Sequence, residues 1–104
     1  MFARTVSIHL KSNMLSDYTR TFENDTLPLL RQQKGFKDEI TLSNPGSLDV
    51  IAISLWESKA NAETYNTNTY PQVLRTLERM IDGAPKVQTF EAVTSTFHKV
   101  AVAA

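Results

Sequence analysis

The stretch LDVIAISLW, residues 48–56, constrains the fold most: it is apolar from Val50 to Leu55 apart from Ser54. A short strand that reads this way is buried on both faces. It follows NPGS at 44–47, where proline stands second and glycine third, as a type II turn requires. Ser58, just beyond it, can cap a helix. Whatever this chain folds into must therefore cover both sides of one central strand.

The rest of the chain supplies three more strands and two helices. Residues 2–10 alternate, with Phe2, Arg4, Val6, Ile8 and Leu10 on one face and Ala3, Thr5, Ser7 and His9 on the other. From Leu15 to Gln33 the spacing is helical, with Leu15, Tyr18, Phe22, Leu29 and Leu30 on one side. Pro28 should kink that helix or loosen its last turns, and Gly35 should end it. FKDEITLS, 36–43, alternates again and places Phe36, Asp38, Ile40 and Leu42 on one face. The second helix starts at Ser58, pauses at NTNTYP, restarts at Pro71 and ends at Gly83. Val73, Leu74, Leu77, Met80 and Ile81 form its apolar stripe. KVQTFEAVTSTF, 86–97, reads as a last strand, and VAVAA, 100–104, as a short tail.

The order is βαββαβ, an α+β chain of the ferredoxin-like class, and the 104 residues fit a single domain, 1–104. Such a fold has a four-stranded antiparallel sheet in the order 4-1-3-2 with both helices on one face. No helix is left for the second face of the third strand. A second copy of the chain is the economical cover, which predicts a homodimer packed sheet against sheet.

Lys plus Arg balance Asp plus Glu, 11 against 11, which removes the usual electrostatic case for nucleic acid or an anionic membrane. The chain has no cysteine, so a disulfide, a thiolate nucleophile and a thiolate metal site are excluded. Two histidines far apart in sequence give no metal motif, and the three glycines form no phosphate loop. No apolar run approaches the roughly 20 residues of a membrane helix, and the N-terminus lacks a secretion pattern. A cytoplasmic protein is the expectation.

With this connectivity, the starts of strands one and two share one rim with the ends of strands three and four. Arg4, Asp38, Trp56 and His98 should therefore gather there, beside the start of the second helix at Ser58. The free N–H groups of that helix would favour an anionic oxygen. A cation, a carboxylate, an aromatic and an imidazole in one place are ingredients of a small-molecule pocket. Each also has a plainer role. Arg4 could form a salt bridge with Asp38 or Glu91, and Trp56 could be rim packing. His9 and His98 could be surface or dimer contacts, and Tyr65 and Tyr70 could pack the core.

LPLLRQQKGFKDEITL, ISLWESKANAETY and YPQVLRTLERMIDGAPKVQTFEAVTSTFHK together resemble the antibiotic biosynthesis monooxygenase (ABM) domain, of the dimeric α+β barrel superfamily. The resemblance covers nearly the whole chain; QKGF and SLWESKANAE carry its most characteristic steps. It implies a homodimer with a pocket in each subunit between helices and sheet. Trp56 matches a tryptophan in the substrate pocket of the family's cofactor-free oxygenases. The haem-degrading branch takes its iron ligand from a histidine on the second helix, and Ser58 to Asp82 contains none, so neither haem nor another cofactor is expected.

The resemblance thus points to a cofactor-independent monooxygenase that oxidises an aromatic phenol or quinol with O2. Arg4 would hold the phenolate, and His98 or Asp38 would take the proton. Trp56, Tyr65, Phe22 and Tyr70 would bind the flat substrate. Fold does not fix function. A non-catalytic small-molecule-binding or regulatory dimer, and an oxygen-independent isomerase or decarboxylase, stay open.

Overall fold

The structure, a computed structural model, describes residues 1–100. Four antiparallel strands form one sheet: β1 (Phe2–His9), β2 (Phe36–Ser43), β3 (Asp49–Trp56) and β4 (Lys86–Glu91). Their order is β2-β3-β1-β4, the order expected from the sequence. The fold is α+β and ferredoxin-like.

β1 follows its alternation: Arg4, Val6, Ile8 and Leu10 are buried beneath the helices. β3 sends Val50, Ser54 and Trp56 to the same side. The turn between β2 and β3 forms as read, with Gly46 at φ +82° and the Ser47 N–H donating to the Asn44 carbonyl at 3.0 Å.

The first helical stretch is broken into three. α1 (Leu15–Thr21) runs into a π-helical turn (Phe22–Thr26), and α2 (Leu27–Arg31) completes it. Pro28 sits in the first turn of α2 and cannot donate to the π turn that precedes it. The wider π turn before it absorbs the extra backbone. This is the loosening that Pro28 predicts, achieved without ending the helix.

The second helical stretch divides where expected. α3 (Lys59–Asn68) and α4 (Tyr70–Leu77) meet at Thr69, whose φ of −120° is not helical. A 3-10 turn, Glu78–Met80, follows. Ser58 caps α3: its Oγ accepts from the Asn61 N–H at 3.2 Å and donates to Asn61 Oδ1 at 2.7 Å. Gly35, at φ +79°, lies against this cap, and a Cβ there would meet the Asn61 side chain at 2.3 Å. Any other residue would have to displace the Asn61 side chain that completes the cap.

Two expectations need correction. β4 stops at Glu91 rather than Phe97. Glu91 pairs with Phe2, and the Ala92 N–H donates to the Met1 carbonyl. The second concerns the faces of β2. Phe36 pairs with Trp56, yet Asp38 pairs with Leu55, so Lys37 is the extra residue of a β-bulge. From Asp38 onward every side chain is on the opposite face from strict alternation. Asp38, Ile40 and Leu42 point away from the helices, and Glu39 and Thr41 point beneath them. Of the tail read at 100–104, residues 101–104 lie outside the described residues.

Candidate active site

The bulge in β2 brings an unexpected row of side chains together. Glu39 pairs with Ser54 on β3, and Ser54 pairs with Arg4 on β1. All three stand on the helix-covered face. Arg4 and Glu39 are thus two strand spacings apart, about 10 Å between backbones. Between them lies an interior cavity of about 30 Å³, closed above by Tyr18, Phe22, Tyr65, Tyr70, Val73 and Leu74. That space suits one or two waters. A flat aromatic needs the mouth to open. Tyr70 and Leu74 are the half-buried lining residues on α4.

Arg4 is the unusual member. It is 3% exposed, yet no carboxylate lies within salt-bridge distance among the described residues. One Nη donates to Asn66 Oδ1 at 2.8 Å. The guanidinium lies 4.1 Å from the Tyr70 ring centre and 5.2 Å from that of Tyr65. Its Nε reaches no acceptor among the described residues. Burial lowers its pKa, and the neighbouring tyrosines partly offset this. The effective cost of burying an ion is several kcal/mol. One charged hydrogen bond contributes about 1.5–3 kcal/mol and each cation–π contact about 0.5–2. The protein therefore meets much of the cost, and leaves one N–H and a net positive charge unanswered.

The other polar groups are shaped by the same dry surroundings. Burial raises the pKa of Glu39, and a hydrogen bond from Thr41 opposes the shift. Thr41 Oγ1 donates to Glu39 Oε2 at 2.6 Å. Burial pushes Tyr65 up to about 12 and raises Tyr18 and Tyr70 as well. All three tyrosines thus remain neutral phenols. The Tyr18 hydroxyl is buried without a protein partner.

Of the residues singled out in the sequence, Arg4, Phe22, Tyr65 and Tyr70 line this cavity. Phe22 stacks on Tyr18, one α-helical turn earlier, with ring centres 5.7 Å apart. Trp56 is fully buried directly behind the cavity wall. Its indole N–H donates to Ser54 Oγ at 2.8 Å, and its ring lies 5.1 Å from Tyr65 and edge-on to Phe36. It is a second layer that fixes Tyr65 and Ser54. Asp38 and His98 are elsewhere: they bond to each other on the sheet face away from the helices. The cap at Ser58 is filled by Asn61 and does not reach the cavity. His9 pairs with Asp49 at 2.9 Å, exposed on that same outer face. Sequence reasoning missed Glu39 and the Tyr18 hydroxyl. Tyr18 was legible as a core-facing residue. Glu39 was hidden by the bulge.

No protein-family model matches the chain, and no curated protein matches it. Solved structures do. A protein from Nitrosomonas europaea assigned as an antibiotic biosynthesis monooxygenase superposes with a TM-score of 0.74 at 11% identity, covering 90% of this chain and 100% of its own. A similarly assigned protein from Bordetella bronchiseptica gives 0.76 at 12%, covering 89% and 97%. SnoaB from Streptomyces nogalater, described as a cofactor-independent oxygenase, gives 0.76 at 11%, covering 91% and 95%. At such identities the likeness is one of fold. The chain has the fold of the antibiotic biosynthesis monooxygenases over nearly its whole length.

Proposed function

We propose that this protein is a cofactor-independent monooxygenase that oxidises a phenolic aromatic with O2 in the cavity over Arg4. The observation that carries the reading is Arg4 itself, a buried guanidinium without a carboxylate partner among the described residues, walled by aromatic rings. An unanswered buried cation suits an anionic oxygen, and the tyrosine and phenylalanine walls suit the ring that bears it. The fold shared with SnoaB supports the same reading.

The chemistry needs no added reductant. The phenol loses its O–H proton, and the electron pair stays on oxygen beside Arg4. The phenolate passes one electron to O2, giving a phenoxyl radical and superoxide. The two combine at a ring carbon to a peroxide anion, which takes up a proton, replacing the one the phenol lost, to become the hydroperoxide. Loss of water leaves a carbonyl there, so phenol plus O2 becomes quinone plus water. The protein's part is to hold the anion, exclude bulk water and keep the ring beside the oxygen.

The reading includes a homodimer through the open sheet face. Ile40, Leu42, Ile51 and Phe90 are 40–53% exposed, and none of the described helices covers their side of the sheet. A second copy of the same face would bury them. The test is oxygen uptake with dihydroxynaphthalenes and anthrone-like phenols. We expect protein-dependent uptake with one quinone formed per O2. A folded protein that consumes no oxygen with any of them overturns the oxygenase.

A further inference from the structure

We propose that Glu39 is the catalytic base, taking the phenolic proton inside the cavity and passing it to solvent through a groove between α1 and β2. This rests on the reading of the cavity as a phenol site. Two placements carry it. The first is the row across the sheet: Glu39 and Arg4 flank Ser54 on the helix-covered face, with the cavity between them. A phenolic hydroxyl bound over Ser54, the middle of the row, would lie between Arg4 and Glu39, one strand spacing of about 4.8 Å from each backbone.

The second placement is independent. Outside the cavity, a groove of about 220 Å³ runs along Leu15, Thr19, Glu23 and Leu27 to the edge of β2. Glu39, Tyr18 and Phe22 line both spaces. Glu39 is therefore part of the wall that separates the inner cavity from the outer groove. A base needs such a location, because its proton must leave before the next turnover.

The carboxylate is held for this role. Thr41 fixes Oε2, and among the described residues no protein donor holds Oε1. The ionisable groups that face the cavity are Arg4 from β1, Tyr18 from α1, Tyr65 from α3 and Tyr70 from α4. The tyrosines stay neutral, so Glu39 is the one anionic base among these lining residues. Its raised pKa makes it a stronger base than an exposed carboxylate. In the step, the substrate O–H bond breaks, a bond forms from the proton to Glu39 Oε1, and the electron pair remains on the substrate oxygen.

The experiment uses a nitrophenol, whose phenolate absorbs visible light, titrated without oxygen below the phenol's own titration range. We expect wild-type protein to develop the phenolate band on binding. Glu39→Gln should bind with little change in Kd while the probe stays a neutral phenol, and Glu39→Asp should restore part of the band. In oxygen uptake, Glu39→Gln should lower kcat by about 10²–10⁴, the usual worth of a general base, with KM little changed. A phenolate band that persists in Glu39→Gln overturns the base and leaves the phenol site standing. If wild-type protein binds no phenol at all, the phenol site falls and the base with it.

Discussion

Each face of the sheet carries one feature that is costly alone. The face beneath the helices is mostly apolar core, yet it buries Arg4, with Glu39 two strands away. The open face holds exposed apolar side chains, Ile40, Leu42, Ile51 and Phe90, with Asp38–His98 and His9–Asp49 among its polar pairs. Neither face is at its free-energy minimum alone. A buried cation with no counter-ion among the described residues calls for a small anion, and exposed apolar surface calls for protein. On the proposed reading, one sheet divides binding from assembly by the alternation of its strands. Each face can be disturbed by itself.

The largest separation of the two faces should come from Arg4→Met. Removing the group that holds the developing oxyanion should lower kcat by about 10²–10³ in oxygen uptake. The same change replaces a partly compensated buried charge with an apolar chain. Thermal denaturation should show stability unchanged or raised, as when buried ionic groups give way to hydrophobic ones. Loss of activity together with loss of folding would mean that Arg4 is structural and would collapse the distinction between the faces.

Trp56→Ala comes next. The fully buried indole supports Tyr65 on one side and Ser54 on the other. Truncation should cost about 3–5 kcal/mol in denaturant unfolding, so activity would fall with stability. Trp56→Phe should keep most of the packing and lose the bond to Ser54, for roughly 0.5–1.5 kcal/mol. An unchanged melting temperature in Trp56→Ala would place the indole in a looser wall than the structure shows.

On the open face, Ile40→Asp with Phe90→Glu should shift the protein from dimer to monomer in sedimentation. The cavity row of Arg4, Ser54 and Glu39 should still form. If both variants sediment as wild type, sheet-to-sheet packing is wrong. Asp38→Asn and His98→Ala should leave oxygen uptake near wild type, because neither residue touches the cavity.

The smallest effect is in stability against pH. Burial raises the folded pKa of Glu39 above its unfolded value, so the folded state holds its proton more tightly. Its stabilising contribution is present below the ordinary carboxylate range. It is lost as pH rises through the raised folded value. Glu39→Gln should remove that slope from the unfolding free energy. A slope unchanged in the variant would place Glu39 in solvent.

Most of the fold was legible in the chain. The alternation of β1, the apolar run of β3 and the glycine and proline punctuation gave element order and sheet order. They work because each reports a local constraint: period, burial or φ. What failed was the one place where local rules were interrupted. Lys37 adds a residue to β2, and the count from Phe36 then puts Asp38 where Glu39 belongs. Strict alternation has no term for a bulge. A hint was present in EITLS, whose apolar Ile40 and Leu42 alternate with Glu39 and Thr41. That pattern fits a strand whose apolar side meets another subunit. Arg4, Tyr65 and Tyr70 were legible because they lie on well-behaved elements. His98 lies off the expected rim because β4 ends at Glu91, six positions before Phe97.

The most direct test of the central claim is oxygen uptake by Arg4→Met beside an Asp38→Asn, His98→Ala double variant, both shown to be folded. The account predicts that the first loses about 10²–10³ in kcat and the second keeps wild-type turnover. The reverse pattern, activity surviving without Arg4 and vanishing without the Asp38–His98 pair, would move the site to the open face and contradict the account.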